Sequence, residues 1–327
     1  MTRRPLRFLS LPLLAAIVVA CSTAVATPSP TVAPTAAPVA TQAPAQTPAP
    51  TAAASVAPSP SASACAKSSL KTLTAGKLTI GTDNPAYPPY FEPPASGNAP
   101  APWELGDPTN GQGFESMTAY AVANKLGFSS ADVVWTVVPF DESYKPGTKP
   151  FDFYLAQVSY TSDRAQSVDM SDGYYFVNQS IVALKSDAIV NATSIADLKK
   201  FKFGAQQGTT AYDTINNVIA PAAAASVYNT NDDAISALKA KQIDGLVVDL
   251  PTAFYITAAQ LDNSVIVGQF PAATGANAEH FSLVLAKGSP LTTCVNGALA
   301  AMKADGTLGA ITKTWLTDEA SAPVFGQ

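Results

Sequence analysis

A chain of 327 residues with a formal net charge of −5 and a pI near 4.9 lacks the basic stripe that nucleic-acid binding needs. One histidine, His280, and three cysteines are too few for a zinc site of the usual Cys/His kind, so neither a metal nor a cofactor is expected. Charged residues make up only 13% of the chain because one long stretch contains none, and the length suggests two domains.

The first predicted element is an address. Arg3, Arg4 and Arg7 precede an apolar run from Phe8 to Ala20. That run has secretory length and is too short to span a bilayer, and no later run reaches spanning length. It ends in Val18-Val19-Ala20-Cys21, which resembles a bacterial lipobox. The resemblance implies that residues 1–21 form a lipoprotein signal ending at a lipidated Cys21. An ordinary signal peptide with an incidental cysteine is the competing reading. It is weakened because Cys21 closes the apolar run and a charge-free linker follows at once. Residues 22–64 are almost all Ala, Pro, Thr, Ser and Val. Such a composition buries too little apolar surface to offset chain entropy, so a disordered tether is expected. Fully extended, it would reach roughly 130 Å. These segments place the folded part outside the cytoplasm, held to the membrane by lipid.

From about Lys67, β-rich and helical runs alternate. The runs 77–82, 133–138 and 151–158 read as strands, and 114–127 reads as a helix stopped by Gly127. A capping pattern of Ser194 and Asp197 opens the next helix. Strands are expected at 201–206, 226–230, 245–249 and 265–270, alternating with helices after Gly208, at 232–241 and at 251–261. This β-α-β series predicts an α/β fold on a mainly parallel sheet. A strand at 281–287, a helix at 291–306 and a short helix ending at Leu316 complete the chain.

In open α/β sheets, ligands sit beyond the carboxyl ends of the strands. The residues following these strand ends are Asp83; Ser159, Thr161 and Arg164; Gln207, Gly208, Thr209 and Thr210; and Asp249. Together they hold one cation, two carboxylates and a hydroxyl-rich turn that opens a helix. A free amino acid presents complementary groups. The Arg164 fork suits a carboxylate. The helix opened by the Gln-Gly-Thr-Thr turn favours an anion at its first amides. Asp249 can accept from an ammonium, and the Ser159 hydroxyl or backbone can serve either group. Tyr87 or Tyr90 is placed to pack on the ligand's apolar part.

The stretches KLTIGTDNPAYPPYFE (77–92), GQGFESMTAYAVANKLG (111–127), VSYTSDRAQSVDMSDGYYF (158–176), FGAQQGTTAYD (203–213), QIDGLVVDLPTAFY (242–255) and MKADGTLGAITKTWL (302–316) resemble, in order, the family 3 extracellular solute-binding proteins of polar amino-acid ABC importers. The resemblance covers nearly the whole folded part. It implies a two-lobe periplasmic-binding-protein fold (type II-like), each lobe a mainly parallel sheet flanked by helices, closing on its ligand by a hinge. Residues 65–175 and 271–327 would form lobe 1 and residues 176–270 lobe 2. Gly173 to Asn178 and Gly268 to Pro271 would be the crossing segments.

By position, the resemblance gives Arg164 the ligand's α-carboxylate, Ser159 a hydroxyl on the same loop, and Thr210 an amide to the same carboxylate. Asp249 takes the ammonium, Asp83 faces the ligand side chain and Tyr87 stacks on it. It further implies a membrane permease as partner, and a monomer is expected. Asp83 and the absence of a second cleft arginine point to a polar or cationic amino acid as ligand, and strand-end groups suited to gripping rather than proton transfer point to no catalysis. The same fold also serves dehydratases of cyclic amino-acid precursors, which is the alternative function. The chain departs from the family pattern in three places. Gln157 stands where the family usually has glycine. Pro94 to Asn110 is a longer loop than usual. Residues 141–152 replace a regular helix with a segment bearing Pro and Gly, which leaves open whether Phe140 or Tyr144 forms the second aromatic wall.

Of the cysteines, Cys65 and Cys294 remain once Cys21 is lipidated. An even pair in an oxidising compartment is expected to form a disulfide. His280, beside Glu279, reads as a plain surface or core histidine.

Overall fold

The structure, a computed structural model, describes residues 64–273, 275, 278–316 and 322–326. The expected signal segment with Cys21, and the tether up to residue 63, lie outside the described residues. No helix among the described residues is long and apolar enough to cross a membrane.

Two five-stranded sheets organise the chain. The first contains β1 (Leu78–Thr82), β2 (Val133–Val137), β3 (Phe153–Tyr154), β4 (Asp169–Met170) and a late strand, Val284–Leu285, in the order β2-β1-β3-late strand-β4. Alternation along β3 sorts its side chains between two faces. Phe153 and Leu155 join a core with α1 (Phe114–Lys125) and the two C-terminal helices, whereas Tyr154 and Ala156 join Val158, Val168 and Phe151 on the other face. Both faces are buried, as a sheet covered by α/β crossovers requires.

The second sheet holds β6 (Gln179–Leu184), β7 (Phe203–Gln206), β8 (Ser226–Tyr228), β9 (Gly245–Asp249) and β10 (Ser264–Gln269), in the order β10-β6-β9-β7-β8. Ile181 and Ala183 face one core and Val182 the other, and on β9 Val247 opposes Leu246 and Val248 in the same way. Between the sheets, β5 (Tyr175–Phe176) pairs antiparallel with β11 (His280–Phe281), leaving the late strand of the first sheet as β12.

Three expectations need correction. The sheets are mixed rather than mainly parallel. In the first, β1 pairs parallel with β2 and β3 while β12 runs antiparallel to β3 and β4. In the second, β7 is parallel to β8 and β9 while β6 runs antiparallel to β9 and β10. Strands β6 and β12 follow the β5 and β11 connections, so they enter without the helical crossover that forces parallel pairing. The second connection is not Gly268–Pro271, because Gly268 and Gln269 are held in β10 against Ile181 and Ser180. The chain meets β5 only at His280. Finally, 271–327 does not all pack with the first sheet. Phe325 packs on Phe270 in the second core, and Gly326 and Val324 bridge to Ser194 and Gln269.

Cys65 and Cys294 form a disulfide across a sequence separation of 229. It ties the start of the domain to α8 (Thr292–Ala304). In the chain-entropy model, closing so long a loop stabilises by up to about 5 kcal/mol. Reduction is therefore expected to lower the calorimetric melting temperature by many degrees. An unchanged melting temperature after thiol labelling confirms full reduction would show that the bridge adds nothing.

Candidate functional site

A cavity lies between the carboxyl ends of the strands of both sheets. Asp83, Tyr87, Phe140 and Gln157 line it from the first, and Gln179, Thr209, Thr210 and Asp249 from the second, with Arg164 at their junction. Arg164 is 8% exposed. It enters on α3 (Ser162–Ser167), whose start is fixed by the Thr161 hydroxyl accepting from the Arg164 amide. Its Nη1 donates to the Ser159 carbonyl at 2.5 Å and its Nη2 to the Gly208 carbonyl at 2.7 Å, so one guanidinium joins both sheets. Tyr144 lies under it at 4.6 Å and donates its hydroxyl to the same Gly208 carbonyl. The aromatic question resolves in this way: Phe140 faces the cavity, and Tyr144 backs Arg164.

The other expected residues divide. Asp83, Tyr87, Thr209, Thr210 and Asp249 line the cavity with Arg164; Ser159, Thr161 and Gly208 do not. Thr161 is a helix cap. Gly208, at φ 72°, supplies the carbonyl that Arg164 and Tyr144 share. The Ser159 hydroxyl donates to Glu279 at 2.7 Å. Thr209 donates to the Gln206 carbonyl at 2.8 Å, closing the turn before α5 (Thr210–Thr214). Tyr90 is fully buried, with its hydroxyl 3.2 Å from Thr252 of the second lobe.

Two residues at this junction had no sequence signal beyond their types. Gln179, at the start of β6, places its Nε2 2.6 Å from Asp249 and 3.1 Å from Glu279. Glu279, one residue before β11, accepts from the Thr210 hydroxyl at 2.6 Å. His280 beside it stacks on Tyr160 and donates Nδ1–H to the Ala278 carbonyl. Two buried side-chain atoms of the cavity wall have no hydrogen-bond partner among the described residues: Thr82 Oγ1 and Gln179 Oε1. Buried polar atoms are rarely left unpaired, so these two mark where a polar ligand would meet the wall.

The electrostatics are dominated by buried carboxyls. Burial pushes Asp83 up to about 6, although the Asn84 amide donates to it. Burial and then the nearby negative Glu279 push Asp249 well above the usual carboxylate range, against the Gln179 hydrogen bond and Arg164.

Glu115 explains how Gln157 occupies a glycine position. Gln157 sits at φ 54°, a left-handed conformation costing a side-chain-bearing residue about 1–2 kcal/mol. The Glu115 carboxylate accepts the Gln157 backbone N–H at 2.7 Å, the Gln157 side-chain amide and the Tyr174 hydroxyl. Glu115 is itself placed in the first turn of α1, where its own amide donates to the Tyr90 carbonyl.

A profile of the bacterial extracellular solute-binding proteins, family 3, matches residues 95–318. The arginine-binding extracellular protein ArtP of Bacillus subtilis (strain 168) is 27% identical over 224 residues, 67% of this chain and 83% of that protein. The ABC transporter glutamine-binding protein GlnH of the same organism is 28% identical over 169 residues, 51% and 59% of the two chains. Among solved structures, an ancestral arginine-binding protein bound to glutamine superposes with a TM-score of 0.58 at 28% identity. The match covers 74% of this chain and 98% of that one. The ancestral amino acid-binding protein AncCDT-1, described as a precursor of cyclohexadienyl dehydratase, gives 0.58 at 27% identity, covering 74% and 96%.

Burial pushes Glu115 up to about 7 from 4.5, against the hydrogen bonds from Tyr174 and Gln157. A carboxyl with a raised folded pKa gives stability that is complete below about 4.5 and is lost as pH rises through about 7. The difference corresponds to on the order of 3 kcal/mol. Glu115→Gln is expected to flatten that part of the ligand-free protein's fall in melting temperature between pH 5 and pH 8. A pH slope identical in wild type and variant would refute the assignment.

Proposed function

We propose that this chain, which belongs to the bacterial extracellular solute-binding proteins, family 3, captures a free amino acid with a cationic side chain outside the cytoplasm and delivers it to the permease of an ABC importer. The observation that carries this reading is the charge balance of one cavity. Arg164 is the cation facing it, Asp83 and Asp249 line it, and Glu279 stands behind Thr210 and Gln179 of its wall. An α-carboxylate is matched by Arg164 and an α-ammonium by Asp249, which leaves acid in surplus at the Asp83 end. A cationic side chain neutralises that surplus, whereas a second ligand carboxylate would meet Asp83 unpaired. The arginine-binding names among the relatives agree with this reading.

In this reading Cys21 carries lipid, residues 22–64 tether the globule, and the protein works as a monomer. It undergoes no chemistry of its own: the cavity groups are arranged to grip, each carboxyl beside donors that hold it in place. Closure brings Arg164 and Tyr144 onto Gly208, and Tyr90 onto Thr252. A ligand touching both lobes favours that form by its differential affinity.

Calorimetry of refolded, ligand-free protein against the amino acids tests this. Arginine or lysine should bind tightest, with glutamine weaker and glutamate weakest. Tightest binding of glutamate, or none of any amino acid, would overturn the reading. Arg164→Ala should weaken the best ligand roughly thirty-fold to several-thousand-fold, since losing one partner of a desolvated charge pair costs about 2–5 kcal/mol.

The pH dependence at Asp83 has a definite sign. Its carboxyl is neutral below about 6, so affinity for a cationic side chain should rise between pH 5 and pH 7. Asp83→Asn should remove that rise and weaken arginine relative to glutamine. A pH profile unchanged in the variant would show that Asp83 does not face the side chain.

A further inference from the structure

Glu279 is the one carboxylate at the cleft for which the grip on an amino acid gives no role. Its Oε1 accepts three hydrogen bonds: from the Thr210 hydroxyl at 2.6 Å, the Ser159 hydroxyl at 2.7 Å and the Gln179 Nε2 at 3.1 Å. A hydroxyl has a single hydrogen to donate. Once it is given to Glu279, Thr210 and Ser159 have only lone pairs left for anything else. The Gln179 amide is fixed in the same sense. Its Nε2 points at two carboxylates, Asp249 and Glu279, and at 3.3 Å reaches the Thr210 hydroxyl oxygen, which keeps one lone pair for a ligand. Its Oε1 is therefore the free end. That oxygen is buried and unpartnered in a residue only 4% exposed that lines the cavity.

Three acceptors thus lie around one end of the cavity: the Thr210 hydroxyl oxygen, the Gln179 carbonyl oxygen and the Asp249 carboxylate. A primary ammonium carries three N–H donors. Without Glu279, the Thr210 and Ser159 hydroxyls could rotate to donate and Gln179 would be held by Asp249 alone, so this end would discriminate less between the two ends of a zwitterion. We propose that Glu279 is a positioning residue that turns the Thr210 hydroxyl into an acceptor, reinforces the orientation of Gln179 set by Asp249, and so commits this end of the cleft to the ligand's α-ammonium. The inference rests on the amino-acid reading of the site. It assigns the ligand carboxylate to Arg164 and the backbone amides of the α5 turn, not to the Thr210 hydroxyl.

The test compares L-arginine with 5-guanidinopentanoate, the same molecule without its α-amine, by calorimetry on wild type, Glu279→Ala and Glu279→Gln. If the wild type binds another amino acid instead, that amino acid and its des-amino acid are the pair. Wild type should strongly prefer the amine-bearing ligand. Glu279→Ala should reduce that preference about ten- to a hundred-fold, the effect of losing one or two hydrogen bonds to a charged group, with affinity for the des-amino acid unchanged or higher. Glu279→Gln should keep most of the preference, because its amide oxygen still accepts from the hydroxyls, and it serves as the folded control. Equal weakening of both ligands in Glu279→Ala would make Glu279 a mere pin between segments and overturn the proposal. So would an unchanged preference. If the wild type binds no amino acid, the functional reading itself fails.

Discussion

A guanidinium with almost no exposure, shared between two carbonyls of different sheets, is the constraint on which the cleft depends. Arg164 reaches Ser159 O on its own loop and Gly208 O across the cleft. A buried cation is tolerable only when its donors are satisfied, and here the second sheet satisfies one of them. Apposition of the lobes and solvation of Arg164 are therefore one requirement. Tyr144 strengthens the coupling by stacking on the guanidinium and donating to the same Gly208 carbonyl. A guanidinium carries five N–H donors, so a ligand carboxylate can join without displacing these contacts.

The buried carboxyls follow the opposite logic and take separate tasks by their partners. Glu115 meets an amide N–H, a side-chain amide and a phenol and holds backbone. Its work is to keep Gln157 left-handed on the loop that leads to Ser159 and Arg164. Asp249 and Glu279 share the Gln179 amide, which separates two like charges that would otherwise repel with nothing between them. Asp83 lines the cavity and takes backbone amides, from Asn84 and from Phe140, as its partners.

Much of this was legible in the sequence, and the reason is positional. Asp83, Arg164, Thr210 and Asp249 each follow a strand within a few residues, and strand ends converge wherever an α/β sheet forms. The cysteine pair was legible by elimination and compartment. Glu279 and Gln179 were not, because they lie at the connections between lobes, where no strand-end rule applies and contacts span a hundred residues of sequence. The mixed sheets and the return of Phe325 to the second core share that cause: both depend on which lobe a segment rejoins, and local periodicity carries no such information. Thr161 and Gly208 follow strand ends as well, and the contacts they make are to Arg164, one as the cap of its helix and one through a carbonyl it reaches, a distinction that a motif does not carry.

Gln157 shows how a departure from a family pattern can be absorbed without losing the site. Glycine at that position would reach φ 54° at no steric cost, whereas glutamine must be held there. The chain supplies the hold with Glu115, a carboxylate that also satisfies the glutamine's own side-chain amide. The extra side chain is thereby bound at its amide end, and Gln157 becomes part of the cavity wall. The consequence is a dependence that glycine would not have. The ligand loop's conformation is tied to a buried acid whose carboxyl is pushed up to about 7, so protonation near neutral pH acts on the same contacts that fix the loop bearing Ser159 and Arg164. A protonated Glu115 keeps one carbonyl oxygen to accept the Gln157 amide but loses the charge that strengthened both bonds. The loop is thus most firmly set where the carboxylate is ionised, while the fold as a whole gains most where it is not.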